Sequence, residues 1–119
     1  MSHDKVGWLK LHRVLIDKPI WLNSTPEQKV VLVAILMLTK YEDHEYEWDG
    51  QKYKGNAGQF FTSLESIRKN CGKGVSIQNV RSSLNRFENM EFLTNESTKG
   101  GRLITICNWE SYNPQKDDG

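Results

Sequence analysis

The sequence has few of the residues and motifs on which metal, redox or nucleotide chemistry depends. Its two cysteines, Cys71 and Cys107, are far apart and neither belongs to a C-x-x-C motif, so both are expected to be free thiols in a reducing compartment. The three histidines stand alone, without an H-E-x-x-H motif, and no G-x-x-x-x-G-K-[ST] loop is present. We therefore predict that the chain holds no metal or cofactor and is not an enzyme.

The chain also lacks a long hydrophobic run and a large net charge. Its longest apolar run, Val30–Leu38, is far shorter than the roughly 20 residues that a membrane-spanning helix needs, and no cleavable signal is recognisable. A cytoplasmic protein without a membrane partner is expected. The formal net charge is only +1, so total charge gives no indication of nucleic-acid binding. In 119 residues, of which 37% are hydrophobic, one domain with one core is predicted.

Charge is distributed unevenly along the chain. Residues 41–49 contain five acidic residues and no Lys or Arg. Residues 66–87 show the reverse pattern, with no acidic residue and with Arg68, Lys69, Lys73, Arg81 and Arg86. The basic segment is where an anionic partner would dock, although two ordinary solvated faces would produce the same pattern.

The N-terminal third predicts two helices. Residues 8–16 suit a short helix that ends at Lys18-Pro19, and on its apolar face lie Trp8, Leu11 and Leu15. Ser24 or Thr25 can cap a second helix that begins at Pro26 and runs through about Lys40. Because Val30–Leu38 is apolar on every side, this helix is either a central core element or partly covered by a second subunit.

A β-hairpin is predicted next. Residues 45–48 and 51–54 alternate polar and aromatic side chains, and Asp49-Gly50 between them is a strong signal for a tight turn. Cross-strand pairing of Glu45 and Glu47 with Lys52 and Lys54 would help to fix its register. After a turn at residues 55–58, Gln59–Thr62 has the pattern of a short strand.

The following segment indicates a helix-turn-helix. Thr62 with Glu65 matches a capping box for a short helix, whose apolar face consists of Leu64, Ile67 and Cys71. Lys73-Gly74 supplies a turn, and Ser76 can cap a longer helix that runs from Ile77 to about Glu91. Its apolar residues are spaced by three and four: Ile77, Val80, Leu84 and Phe87. A short helix joined to a longer one by a glycine-containing turn is the signature of the motif.

The outer face of the second helix has the chemistry of a DNA-reading surface. Amide side chains can pair with adenine, Arg with guanine, and Ser with a base or a phosphate. The residues predicted to contact DNA from this helix are Gln78, Asn79, Arg81, Ser82, Asn85 and Arg86. No carboxylate precedes Glu88 on this face. A solvated or protein-contacting face is the alternative.

Two strands after this helix complete the pattern of an α+β winged helix-turn-helix with an additional β-hairpin. The strands are predicted at residues 92–97 and 103–107, and their connection has a basic residue on each side of Gly100-Gly101. Those residues, Lys99 and Arg102, would tip the wing and, with Arg68 and Lys73, hold phosphates. Taken alone, the two glycines indicate an ordinary hairpin turn, and only their position after a helix-turn-helix favours the wing. The domain is predicted to span residues 1–113, with a polar tail at 114–119 that resembles the start of a linker.

Three segments carry a family resemblance: residues 7–13, 58–64 and 103–112. They resemble the N-terminal domain of phage and prophage replication initiators, the replisome organisers related to the bacterial primosomal protein DnaD. The resemblance spans Gly7 to Asn113 and implies a winged-helix domain that binds DNA or self-associates. It also implies a C-terminal domain that contacts DNA and the replicative helicase or its loader. Because the sequence ends at Gly119, an excised domain or a short relative is expected.

Three functions therefore remain open. The first is a DNA-binding domain of a replication initiator, with double-stranded DNA as its partner. The second is an oligomerisation scaffold with the same fold, favoured by the near-neutral charge, the apolar Val30–Leu38 helix and the aromatic residues Tyr46, Trp48 and Tyr53. The third is a transcriptional repressor. Self-association as a homodimer or higher oligomer is expected, through the N-terminal helices or the Asp49-Gly50 hairpin.

Overall fold

The computed structural model of the chain describes residues 9–98 and 100–109. Trp8, Lys99, Tyr112 and the predicted tail at 114–119 lie outside these residues. Within them the fold is α+β, with four α-helices and two antiparallel sheets. In this part of the chain, no helix is both long and apolar enough to cross a membrane.

From residue 26 onward, helices and strands follow one another in the order expected from the sequence pattern. A 3-10 helix, Arg13–Asp17, is followed by the helices α1 (Pro19–Leu22) and α2 (Pro26–Leu38). The strands β1 (His44–Trp48), β2 (Gln51–Gly55) and β3 (Gln59–Thr62) come next. The chain then forms α3 (Leu64–Cys71), α4 (Ile77–Asn89), β4 (Leu93–Thr98) and β5 (Gly101–Ile106).

The region before α2 differs from the predicted single helix. Leu15 is buried in the 3-10 helix, whereas Leu11 precedes that helix and is 46% exposed, so the two do not share a buried face. Lys18 adopts extended backbone angles before Pro19, which ends the first helix as predicted. Pro19 then occupies the first position of α1, a helix that the sequence pattern did not predict.

Helix α2 is the central core element. Thr25 caps it, through a reciprocal pair of hydrogen bonds with Gln28. Ser24, the other predicted cap, instead donates its hydroxyl to the carbonyl oxygen of Ile20 at 2.6 Å. The helix ends at Leu38, two residues before the predicted end. Five of its side chains are buried: Val31, Leu32, Ala34, Ile35 and Leu36.

The predicted β1–β2 hairpin is confirmed. Asp49 and Gly50 have φ values of 54° and 78°, as a type I′ turn requires at both central positions. Glu45 lies opposite Lys54 and Glu47 opposite Lys52, which is the predicted register.

The second sheet has the strand order β3-β5-β4, so β5 pairs with both neighbours. On one face, Phe60 of β3 lies opposite Ile104 of β5, and both side chains are buried. On the other face, the ring of Phe61 is in contact with the β1–β2 hairpin through the rings of Tyr46 and Trp48. The hairpin therefore packs against the sheet through Tyr46 and Trp48.

One hydrophobic core joins the helices to the inner face of this sheet. Its fully buried large side chains include Leu32, Ile35, Ile67, Leu84, Phe87, Leu93 and Ile104. Trp109 is also buried, and its side chain lies against Gly58, where an added Cβ would meet the indole at 3.0 Å.

Candidate nucleic-acid interface

The helix pair α3–α4 is joined by a turn that depends on glycine. Gly72 and Gly74 have φ values of 81° and 99°, in the left-handed region that side chains other than glycine rarely adopt. Between them Lys73 is exposed, and Val75 then returns to the core. The turn therefore presents a lysine to solvent at a fixed point between the two helices.

The cap of α3 differs from the prediction by one residue. Ser63, rather than Thr62, accepts the hydrogen bond from the backbone amide of Ser66, at 3.1 Å. Thr62 cannot serve as the cap because it is the last residue of β3, where it lies opposite Arg102. The predicted capping box of Thr62 with Glu65 is therefore wrong, and Glu65 forms an ion pair with Arg68 instead.

Helix α4 has one buried face and one polar face. Val80, Leu84 and Phe87 are buried as predicted, and Ile77 is half-buried. Ser83 is also fully buried, which the helical wheel did not predict. The opposite face carries Gln78, Arg81, Ser82, Asn85, Glu88 and Asn89, all exposed.

Three side chains on the exposed face form a short network. The amide nitrogen of Gln78 donates to the Ser82 hydroxyl at 3.1 Å. The guanidinium of Arg81 donates to the amide oxygen of Gln78 at 3.5 Å. Four predicted contact residues thus share one surface, since Asn85 lies one turn further along the helix: Gln78, Arg81, Ser82 and Asn85.

Two other predicted contact residues are engaged elsewhere. The amide oxygen of Asn79 accepts a hydrogen bond from the backbone of Ser76 at 2.9 Å, which closes the capping box of α4. Arg86 is half-buried and donates to the carbonyl oxygen of Asn23, at the end of α1, at 2.9 Å. Both side chains therefore stabilise α4 and its packing, and the Oδ1 atom of Asn79 and the Nη2 atom of Arg86 are already bound within the chain.

The predicted phosphate contacts on α3 differ from one another in their charge environment. Arg68 forms an ion pair with Glu65, three residues earlier. A hydrogen bond from Arg68 lowers the pKa of Glu65 below its ordinary value of 4.5, and the same bond raises the pKa of Arg68. Lys73 has no ion pair within the described residues. Lys69, which was not among the predicted site residues, is also exposed, and its position in the basic segment was the available signal.

The connection between β4 and β5 is shorter than predicted. The strands extend to Thr98 and from Gly101, and these two residues lie opposite each other. Arg102 is consequently the second residue of β5, not a wing-tip residue. It is half-buried on the same face as Ile104 and donates to the amide oxygen of Asn95 at 3.4 Å. Its predicted place at the tip is wrong, and Lys99 lies outside the described residues.

No metal site is found among the residues that the structure describes, since no three potential His, Cys, Asp or Glu ligands come together. Cys71 and Cys107 are free and half-buried, and burial raises the pKa of the Cys71 thiol. Comparisons of the chain with protein-family models, with curated proteins and with solved structures gave no match.

Proposed function

We propose that this chain is a winged helix-turn-helix domain that binds double-stranded DNA, with α4 in the major groove. The observation that carries the proposal is the exposed face of α4, where Gln78, Arg81, Ser82 and Asn85 lie opposite a buried apolar row. The helix follows a short helix and a glycine turn, and precedes the β4–β5 hairpin. That order is the one a winged helix requires.

Each exposed side chain has a role in this proposal. Gln78 and Asn85 can pair with adenine, and Arg81 can contact guanine or a phosphate. Lys69 and Lys73, at the end of α3 and in the turn, supply phosphate contacts. The proposed interface has few basic side chains and the net charge of the chain is +1. One domain alone is therefore expected to bind DNA weakly and to gain affinity from self-association.

The resemblance to phage and prophage replication initiators supports a role in DNA replication. In that role the helicase or its loader would be contacted by a further domain. A transcriptional repressor would use α4 in the same way, so the two roles differ in where the preferred site lies, at a replication origin or at a promoter. Selection of bound fragments from genomic DNA separates them.

A duplex-binding measurement across salt concentrations tests the proposal. Fluorescence anisotropy with a labelled duplex should give an affinity that falls as salt rises, because phosphate contacts release counterions. Replacing Gln78, Arg81 and Asn85 together by Ala should abolish binding to a selected site. The variant Lys10→Ala, at an exposed lysine before the first helix, is the matched control for the lost charge. Absence of wild-type binding at low salt would overturn the proposal.

A second candidate function, homo-oligomerisation, is favoured by a specific surface. An apolar pocket of about 440 Å³ lies between the 3-10 helix and α1, lined in part by Leu11, Ile16 and Trp21. On α2, Val30 and Met37 are exposed, Met37 to 62%, although five other side chains of the helix are buried. Light scattering tests this candidate, with Ile16→Glu and Met37→Glu as disrupting variants. A monodisperse wild-type monomer at high micromolar concentration would contradict it.

A further inference from the structure

One side chain in the first turn of α4 is held in place by two others. The amide nitrogen of Gln78 donates to the hydroxyl of Ser82, four residues later, at 3.1 Å. The amide oxygen of Gln78 accepts from the guanidinium of Arg81 at 3.5 Å. All three side chains are exposed, so both bonds form at the surface of the helix. The amide of Gln78 is therefore bound at its nitrogen and at its oxygen.

Arg81 determines which way the amide of Gln78 faces. A guanidinium only donates hydrogen bonds, whereas a serine hydroxyl can both donate and accept. If the amide were turned over, its N–H groups would face the donors of Arg81 and that bond would be lost. The amide therefore keeps both bonds only with its oxygen toward Arg81 and its nitrogen toward Ser82.

The two bonds leave a defined donor and acceptor on Gln78. A carboxamide has two N–H donors and an oxygen with two lone pairs. Ser82 uses one N–H and Arg81 uses one lone pair, so one donor and one acceptor remain. In the major groove, adenine presents the acceptor N7 beside the N6 amine, a donor, which is the complementary pair. Guanine presents two acceptors there, so the remaining lone pair of Gln78 would face another acceptor.

The surroundings of Gln78 also suit a base in the major groove. The N-terminal residues of a recognition helix are those that reach base edges, and Gln78 is the second residue of α4. Arg81 forms no ion pair within the described residues, and the segment 66–87 contains no acidic residue. The other N–H groups of Arg81 can therefore contact a phosphate while one of them holds Gln78.

We infer that Gln78 selects an adenine in the major groove and that Ser82 is the positioning residue that holds the Gln78 amide for this contact. This assignment rests on the proposed duplex binding by α4 and names the base that one side chain of that face selects. A side chain that is already held in its binding orientation loses less rotamer freedom on binding. The Ser82 hydroxyl therefore increases the preference for adenine without touching the base.

Selection from random duplexes with the wild type and with Gln78→Ala locates the base. The wild type should select adenine at one position where Gln78→Ala accepts any base. Replacing A·T by G·C there should weaken wild-type binding roughly 5- to 150-fold, the range expected for one bidentate contact. An adenine analogue with carbon in place of N7 still pairs with thymine, and it should weaken binding by the wild type but not by Gln78→Ala. The same selected sequence for both proteins would overturn the inference.

Variants of Ser82 test its positioning role. Ser82→Ala should reduce the preference for adenine at that position roughly 2- to 12-fold, the cost of immobilising one side chain. Ser82→Thr keeps the hydroxyl and should retain the preference. Ser97→Ala, at an exposed serine of β4, is the matched control and should also retain it. If Ser82→Ala weakened binding to all duplexes equally and kept the preference for adenine, Ser82 would be a phosphate contact and its positioning role would be wrong.

The wild-type measurement separates these assignments from duplex binding itself. If the wild type bound no duplex at low salt, the proposed function would fail and the assignments of Gln78 and Ser82 would fail with it. If the wild type bound duplexes without a preference for adenine at any position, duplex binding would stand and only the two assignments would be overturned. Thermal unfolding of each variant shows that a lost preference does not come from an unfolded protein.

Discussion

Ser76 and Asn79 hold each other at the first turn of α4. The backbone amide of Asn79 donates to the Ser76 hydroxyl at 3.0 Å, and the backbone amide of Ser76 donates to the side-chain oxygen of Asn79 at 2.9 Å. The pair satisfies two backbone donors that the helix cannot satisfy itself. It also determines where α4 begins, and therefore which side chains the helix presents to solvent.

Removal of either partner should reduce stability more than it changes DNA recognition. We expect Ser76→Ala and Asn79→Ala each to lower the free energy of unfolding by about 1 kcal/mol, measured by urea denaturation. Asn85→Ala, at an exposed position of the same helix, is the control and should change stability by less than about 0.5 kcal/mol. If Asn79→Ala instead left stability unchanged and relaxed the preference for one DNA site, Asn79 would be a base-reading residue.

Substitution by Ala should change DNA binding at Arg81 and the free energy of unfolding at Arg86. If Arg81 contacts a phosphate, Arg81→Ala should flatten the slope of log affinity against log salt by about 0.9. The double variant Lys73→Ala/Arg81→Ala should flatten it by about 1.8. A contact of Arg81 with guanine would instead reduce affinity for one preferred site. Arg86→Ala should lower the free energy of unfolding by about 1–3 kcal/mol, because it removes a charged donor from the Asn23 carbonyl. If Arg86→Ala changed the salt slope and Arg81→Ala did not, Arg86 would be the residue that contacts DNA and the assignment of the two roles would be wrong.

The Glu65–Arg68 pair predicts a pH-dependent contribution to stability. The hydrogen bond from Arg68 lowers the pKa of Glu65 below 4.5, so its carboxylate favours the folded state above that pH. The contribution is lost as pH falls through the lowered pKa. Glu65→Gln should therefore unfold at a slightly lower temperature than the wild type at neutral pH and at the same temperature in strong acid. Arg68→Gln breaks the same ion pair, so adding Glu65→Gln to it should not lower the unfolding temperature further. A difference between Glu65→Gln and the wild type that persisted in strong acid would exclude the ion pair as its source.

Gly101 is predicted to resist substitution although its backbone is not in the left-handed region. A Cβ at this position would overlap the ring of Phe61 and approach the carbonyl oxygen of Thr62 at 3.1 Å. Gly101→Ala should therefore destabilise the protein by about 1–3 kcal/mol in urea denaturation. Adding Phe61→Leu should recover part of that loss in a double-mutant cycle. Strictly additive effects would mean that the ring is not the obstacle.

Periodic patterns predicted the parts of the fold that each segment determines by itself. The three- and four-residue spacing of Val80, Leu84 and Phe87 identified α4 and its buried face. Asp49-Gly50 identified the hairpin, because only a few residue types accept two successive positive φ angles. The order of elements from α3 to β5 followed from the same local signals.

Contacts between distant segments could not be predicted in this way. A helical wheel gives the direction of Arg86 from its own helix but not the carbonyl of Asn23, 63 residues earlier, that binds it. The same wheel could not separate Asn79, which caps the helix, from Asn85, which is exposed. Arg102 was assigned to a turn because two glycines precede it, yet pairing with Thr62 and Ser97 extends β5 to include it.

The strand order β3-β5-β4 has a consequence for how the protein folds. Strands β4 and β5 follow one another closely along the chain, so their pairing is local and can form early. The pairing of β3 with β5 joins residues far apart in sequence, as the hydrogen bond between Gln59 and Thr105 across 46 residues illustrates. Closing that loop costs chain entropy, and α3 and α4 lie within it. We therefore expect the β4–β5 hairpin to form early, and β3 to dock last, together with the contacts of Phe61 with Tyr46 and Trp48.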